Sequence, residues 1–597
     1  MPEQKVHAIS RLLRNAAALD KPLFGVNALY TLFAVLQPLP GVLLPRFIIS
    51  LLGRENAAGR ELLIIVLGFF VVGALLHFFK EWFLDTAYPR MTALRIGYVR
   101  DQAFKLINMD YRYTEDNAFS QKWERAFQAC SSNTNGVEDV YRKLFFLPAV
   151  LLLILGLSIF IGLVHPLIIA GLALHAALSY ALARHAQRFA YARKEASARQ
   201  ERRIWVYTNA SQDVAYGKDV RLYDLKGRVL DNFGKVIAAY IKILRAIQNR
   251  EFLMAALALP ALLLSDLLTY GLLARAVMSG LPIADFSMYL MAALALRAQM
   301  ETLTEHVTAM RRELMYVEDY FRFMDEDLNT EGGTRGFPED IPAVELAFEK
   351  VSFRYPGSEK DVLKDFTLRV PAGQRLALVG VNGAGKTTLV KLLCRFFPPD
   401  AGEVLIDGHP VREYRKSELM RLFAVVFQDV NVYAFTLAQN VAASLDGIDY
   451  ARVRDALTRA GLWDKAETLD KGMDSMMLKV IKEDGVVLSG GEQQKLAIAR
   501  ALYKGGGCII LDEPTAALDA LAEKEIYQSF DALTLGKTAI YISHRLASTQ
   551  FCDKIALIDG DGLKEYGSHE ELMALGGAYR EMFTLQGRYY QEEEASA

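Results

Sequence analysis

The strongest constraint on this chain is where its apolar residues fall. Six runs lie near 24–52, 61–83, 142–164, 167–187, 253–279 and 281–304. Each is long enough to cross a hydrocarbon layer of ~30 Å as a helix rising about 1.5 Å per residue. All six precede residue 320 of a 597-residue chain. One such run would suit the core of a soluble protein. Six in one half predict a helical membrane domain. The chain is 52% hydrophobic and 23% charged, which excludes a disordered polypeptide. Its length implies more than one domain.

The first run contains Pro38, Pro40 and Pro45 and is expected to kink. Residues 1–22 have neither an apolar h-region nor a small-residue cleavage site, so no cleavable signal peptide is expected. Ile9, Leu12, Leu13 and Ala16 recur there at helical spacing among Arg11, Arg14 and Lys21. This predicts an amphipathic helix in the membrane interface, with a soluble N-terminal helix as the alternative. Basic residues set the orientation. Segment 84–141 carries Arg90, Arg95, Arg100, Lys105 and Arg112, and segment 188–252 carries Arg188, Arg193, Lys194, Arg199 and Arg202 among others. The short joins at 53–60, 165–166 and around 280 hold only Arg54 and Arg60. Both termini and both long segments are therefore expected on the cytoplasmic side. Each long segment reads as mostly helical, and a helical hairpin of that length reaches ~40 Å beyond the membrane.

Sixty-eight basic residues against 70 acidic ones give a net charge of −2, which argues against a nucleic-acid partner. Cys130, Cys394, Cys508 and Cys552 are widely separated, so neither a zinc site nor a disulfide framework is expected.

A polar, glycine-rich stretch from Asp327 to Pro338 marks a linker. The expected organisation is a membrane domain at 1–326, a linker at 327–343 and an α/β domain at 344–597. Short apolar strands are predicted at Leu376–Val379, Ala424–Phe427, Cys508–Leu511 and Ala539–Ile542. The first runs into Gly380-Val381-Asn382-Gly383-Ala384-Gly385-Lys386-Thr387-Thr388. This is G-x-x-x-x-G-K-[ST] between a strand and a helix, the setting of a P-loop. Its glycines let backbone N–H groups wrap phosphate oxygens, and the helix N-terminus adds its dipole. Lys386 suits the β- and γ-phosphates of a nucleotide such as ATP, and the Thr387 hydroxyl suits Mg²⁺. Asp512 and Glu513 close the strand at Cys508. Asp512 fits the Mg²⁺ shell, and Glu513 fits the water that attacks the γ-phosphate. Ser489-Gly490-Gly491-Glu492 opens another helix as a second anion nest. One nucleotide does not need two cradles. The second is expected to serve the nucleotide of another copy, a plain N-cap being the alternative.

With these motifs in order, residues 344–585 resemble the nucleotide-binding domain of an ATP-binding-cassette (ABC) protein. The whole chain resembles an ABC exporter half-transporter. The resemblance implies that Tyr355 stacks on adenine, that Gln428 reaches Mg²⁺ or the attacking water, and that Asp519 belongs to the D-loop. It implies that His544 bonds the γ-phosphate and that Glu483 is the acid that exporters place ahead of the signature. Glu492 departs from the usual Gln, and Lys482 from the usual Gly. The implied activity is ATP hydrolysis coupled to export by alternating access. Import by a transporter of the same architecture and a non-transport membrane ATPase are the alternatives. A soluble cassette acting on DNA or the ribosome is excluded by the six runs.

The expected partners are the lipid bilayer, a second copy of the chain, and a cargo such as a peptide, drug or lipid. A homodimer is favoured over a heterodimer because P-loop, signature and Glu513 are all intact here. No cysteine-protease domain precedes the first helix, so leader-peptide cleavage is not expected. By resemblance, turns near Asp110–Asp116 and Asp213–Asp219 form coupling helices docked beside Gln428. Asp266, midway along the fifth run, has Arg46 and Arg297 as candidate partners. It is either structural, as half of an interhelical ion pair or as a protonated acid, or a cavity group that meets cationic or polar cargo.

Overall fold

The apolar runs fold into long helices that turn many apolar side chains outward. The computed structural model describes residues 2–54, 59–213, 216–330, 332–480, 482–514, 534, 536–560 and 562–586. Two compact units emerge, one of residues 1–107 and 121–326, the other of 108–120 and 327–597.

In the first unit, α1 spans Pro2–Leu19, α2 Pro22–Leu36, α3 Leu39–Leu52 and α4 Gly59–Asn108. After these, α5 spans Asn117–Gln128, α6 Gly136–Gly162, α7 Pro166–Tyr191 and α8 Lys194–Gln212. Finally α9 spans Gly217–Leu222, α10 Lys226–Met278 and α11 Ile283–Asp325. The predicted kink is a break between α2 and α3, where Pro38 stands just ahead of the second helix. On α4, Leu63, Ile64, Leu67, Phe70, Val71, Leu75 and Phe78 are exposed, Phe70 to 76%. Such a continuous apolar face is not stable in water and matches lipid chains. At about 1.5 Å per residue the 50 residues of α4 extend ~75 Å, so much of the helix continues past a ~30 Å hydrocarbon layer.

Among the described residues, five segments are long and apolar enough to cross a membrane: 22–52, α4, α6, α7 and α10. The sixth predicted run is helical, as the start of α11. Asp285, Arg297 and Glu301 interrupt it and leave only 286–296 uncharged. By length and composition the structure thus supports five spans, and the sixth only as a helix.

The stripe on α1 also differs from expectation. Ala8, Leu12 and Ala16 are buried with Met91, Tyr98, Tyr141 and Tyr320 of α4, α6 and α11. This part of the face expected to meet the membrane interface is covered by protein, because a neighbouring apolar cluster is available. Two acids of this unit, one buried and one half-buried, are paired with arginines. Glu138, fully buried on α6, receives Arg95 at 2.8 Å and Arg142 at 2.7 Å. Asp266 on α10 accepts from Arg297 on α11 at 2.9 and 3.0 Å. Arg46 is not its partner, because Asp285 holds Arg46 at 2.6 Å.

In the second unit, β1 is Leu346–Phe353, β2 Leu363–Val370, β3 Arg375–Val379, β4 Ala401–Ile406 and β5 His409–Pro410. Further on, β6 is Phe423–Val426, β7 Cys508–Asp512, β8 Thr538–Ile542, β9 Lys554–Asp559 and β10 Gly562–Gly567. Two helices matter for the site, α12 at Lys386–Leu393 and α13 at Gly490–Lys504. An antiparallel sheet has the order β2-β1-β4-β5, and a second has the order β10-β9-β3-β8-β7-β6. Strands β6, β7, β8, β3 and β9 are mutually parallel, with β10 antiparallel at the edge. The parallel strands are buried on both faces, which explains their continuous apolar sequence. In β3, Ala377 and Val379 join one core while Leu376 and Leu378 join the other. Part of the expected linker packs onto this unit. Phe337 stacks on Tyr414 with ring centroids 4.8 Å apart, and its N–H donates to Glu418 at 3.0 Å. All four cysteines are buried, and no disulfide forms among the described residues.

Candidate functional site

The site grows from the C-terminal ends of the parallel strands, where open α/β sheets place their ligands. β3 enters the loop Gly380–Gly385, and α12 starts at Lys386. Two of the glycines are required. A Cβ on Gly380 would lie 2.0 Å from the Ile558 carbonyl oxygen, and Gly385 has φ +92°. Lys386 curls over the loop, its Nζ donating to the carbonyls of Gly380 at 2.9 Å and Val381 at 3.1 Å. Burial lowers its pKa, against the pull of the Glu513 and Asp512 carboxylates.

Thr387 Oγ1 donates to Asp512 Oδ2 at 2.8 Å. Asp512 is 1% exposed, and its Oδ1 has no hydrogen-bond partner. Burial pushes this carboxyl above its ordinary pKa, more than the Thr387 hydrogen bond pulls it down. A hydroxyl beside an unpaired, buried carboxylate oxygen is a donor set suited to a hard divalent cation. Mg²⁺ fits these residues, and a phosphate chain fits the adjacent cradle.

Glu513 follows directly with φ +51°, a left-handed conformation uncommon outside glycine. Its N–H donates to the Ile542 carbonyl at 3.0 Å, which ties the turn to β8. Its Oε2 accepts from Gln428 Nε2 at 3.0 Å, and its Oε1 contacts His544 Nε2. Gln428, Glu513 and His544 thus converge from three separate strand ends. With Tyr355, Asn382, Gly383, Gly385, Lys386, Thr387 and Thr388 they line one cavity of about 500 Å³. The Tyr355 hydroxyl lies 3.0 Å from Thr388 Oγ1, and its ring meets Phe353 and Phe397 edge-on.

Other expected residues lie elsewhere. Gly380 and Ala384 belong to the loop without lining the cavity. Ser489, Gly490 and Gly491 do not line it either. Ser489 caps α13 through a reciprocal capping box with Glu492, whose Oε2 accepts from the Ser489 N–H at 2.8 Å. Glu492 also pairs with Lys465 at 3.2 Å, a role Gln would not fill. Asp519 lies outside the described residues.

The sequence did not single out Lys391 or the aromatic pair that flanks it. Residues 108–120 form part of this unit, with a short 3₁₀ turn at Tyr111–Tyr113. Tyr111 stacks on Phe396 at 4.6 Å, and Phe396 stacks on Phe427, the neighbour of Gln428, at 6.2 Å. Glu115 pairs with Lys391 at 2.6 Å, and Lys391 lies 5.2 Å from the Tyr355 ring centroid. Asp110 contacts Lys416 and Thr330. Burial would raise the Asp110 carboxyl, but those hydrogen bonds outweigh it and hold its pKa below the ordinary value. The turn expected beside Gln428 therefore sits one aromatic ring away from it. Of the second turn, residues 214 and 215 lie outside the described residues.

Residues 363–516 match the ABC transporter family. The chain is 38% identical over 331 residues to an ATP-dependent lipid A-core flippase of Cupriavidus pinatubonensis, covering 55% of each protein. It is 34% identical over 311 residues to the protein of that name from Salmonella typhimurium, covering 52% of each. The chain thus spans about half the length of the curated relatives it matches. A solved bacterial Atm1-family ABC exporter with ATP bound has the same fold, with a TM-score of 0.78 at 23% identity over 95% of this chain and 99% of that one.

Proposed function

We propose that this chain, an ABC exporter half-transporter in fold and in its ATPase domain, is an ATP-driven exporter. One observation carries the reading: Lys386, Thr387, Gln428, Glu513 and His544 line a single cavity, with Asp512 buried behind Thr387, in a chain that also bears membrane-length apolar helices. Phosphoryl transfer needs positioning and charge stabilisation more than covalent chemistry, and these groups supply both. Lys386 exchanges its two carbonyl partners for the β- and γ-phosphates. Thr387 and Asp512 would hold Mg²⁺, which when bound would neutralise phosphate charge. Glu513, held by Gln428 and His544, accepts the proton of the attacking water. His544 bonds the γ-phosphate, and Tyr355 offers its ring to adenine.

The working unit is a homodimer with a two-fold axis. Ser489–Gly491 lie off the cavity of their own chain and serve the nucleotide of a second copy. The ATPase unit lies in the cytoplasm, following the basic residues of the long loops. The relatives' names favour an amphiphilic cargo over a water-soluble one. The test is ATP-dependent accumulation of a fluorescent short-chain lipid in inside-out vesicles containing the full chain. Accumulation that stops when ATP is replaced by ADP supports the reading, and accumulation indifferent to nucleotide refutes it.

A further inference from the structure

The helix that carries the proposed signature, α13, holds a negative charge on its own first turn. Ser489 and Gly490, at that end, are exposed. Glu492 Oε2 accepts from the Ser489 N–H at 2.8 Å, and the Ser489 side chain accepts from the Glu492 N–H. Burial would raise the Glu492 carboxyl, but the Ser489 N–H and Lys465 outweigh it and hold its pKa below the ordinary value. The group is therefore ionised at neutral pH. A glutamine closes the same reciprocal cap without a charge.

The dipole of a helix start attracts anions, and a carboxylate fixed there repels a second anion. Alone, Glu492 would weaken the positive field that Ser489–Gly491 offer to a phosphate. It is not alone. Lys465 Nζ stands 3.2 Å from Glu492 Oε1. Lys465 belongs to a short helix, Trp463–Glu467, whose place is set by packing. Leu462 and Ala466 are buried in the same cluster as Leu488 and Leu496, which flank Glu492 in sequence. Apolar contacts thus fix the backbone, and the ammonium group meets the carboxylate nearer the surface, where the two side chains are 39% and 26% exposed. So exposed a pair adds little to stability. Its consequence is electrostatic: it cancels a charge beside an anion nest.

We infer that Lys465 is a positioning residue for the shared nucleotide site: by neutralising Glu492, it keeps the start of α13 receptive to the phosphates of a nucleotide bound to a second copy. Lys465 acts through Glu492 and does not itself reach the nucleotide. The inference rests on the shared-site reading above and adds to it a residue outside the signature.

The test measures KM and kcat for ATP hydrolysis by the purified full chain. Lys465→Ala should raise KM about fivefold or more, because the phosphates then face an uncompensated carboxylate, and should lower kcat at saturating ATP by less than about twofold. Lys465→Arg keeps the charge and should keep KM within about twofold of wild type. In the Glu492→Gln background the cap persists without its charge, so Lys465→Ala should move KM by less than about twofold. A KM untouched by Lys465→Ala, or raised equally in both backgrounds, overturns the inference. The second of these results would make Lys465 a structural prop. Ser489→Arg separates the two readings. If it spares hydrolysis, the shared site is wrong and this inference falls with it. If it abolishes hydrolysis while Lys465→Ala leaves KM unchanged, only this inference falls.

Discussion

Asp512→Asn should stabilise the metal-free protein while destroying its response to Mg²⁺ and ATP. The side chain is 1% exposed, and Oδ1 has no partner. Without a cation, the ionised carboxylate pays for desolvation with one hydrogen bond from Thr387 and the more distant charge of Lys386. Asparagine keeps the shape and can still face Thr387, but the buried charge is gone. Relieving an imperfectly satisfied buried charge gains about 1–2 kcal/mol. For a unit of this size that raises the midpoint of its thermal transition by roughly 2–6 °C. The assay is thermal unfolding of the full chain in EDTA and then with Mg²⁺ and ATP. Wild type should gain a large increment from the nucleotide, and the variant should start higher and gain little. The pH dependence has a definite sign. A carboxyl whose folded pKa is raised binds its proton more readily in the folded state, so its contribution is full below the ordinary aspartate value and is lost as pH rises through the raised one. The metal-free wild type should therefore lose stability over that window more steeply than the variant. A variant that melts below wild type in EDTA, or that keeps the full nucleotide increment, refutes the reasoning.

Lys386→Ala should weaken ATP binding by roughly ten- to a hundredfold, measured with a fluorescent analogue, because a charge-assisted contact is worth about 1.5–3 kcal/mol. Tyr111→Ala should lower ATP-dependent transport while leaving ATP affinity within about twofold, since the ring it stacks on is one step from Gln428 and the contact is worth roughly 0.5–1.5 kcal/mol. An equal loss of binding and transport would mean that Tyr111 only holds the unit together. Lys386→Ala and Ser489→Arg chains should each be inactive, yet a mixture should regain hydrolysis, because a mixed dimer contains one site with both an intact P-loop and an intact signature. No recovery on mixing would count against a shared site.

What the sequence made legible was chiefly what is contiguous in it. Gly380–Thr388 is a single stretch whose glycines dictate its shape, and the loop forms where the pattern predicts. Asp512 and Glu513 were legible as the end of an apolar strand. That Glu513 would turn left-handed and draw in Gln428 and His544 follows from the neighbouring strand order, which no local pattern encodes. Arg297 was visible as a partner for Asp266, but excluding Arg46 needed the position of Asp285. The apolar stripe of α1 showed that a surface would be covered without showing which one. Periodicity reads the same against lipid and against protein.

The central claim is that Glu513 turns over ATP bound in the cradle beside it. The most direct measurement follows ATP turnover and retained nucleotide together in the purified full chain, wild type and Glu513→Gln. The substitution leaves Lys386, Thr387 and Asp512 in place and removes the group that accepts a proton from water. The account predicts Mg²⁺-dependent hydrolysis by wild type, and hydrolysis nearly abolished in the variant with ATP retained at least as well. Near-normal turnover by Glu513→Gln, or loss of ATP retention together with turnover, would contradict it.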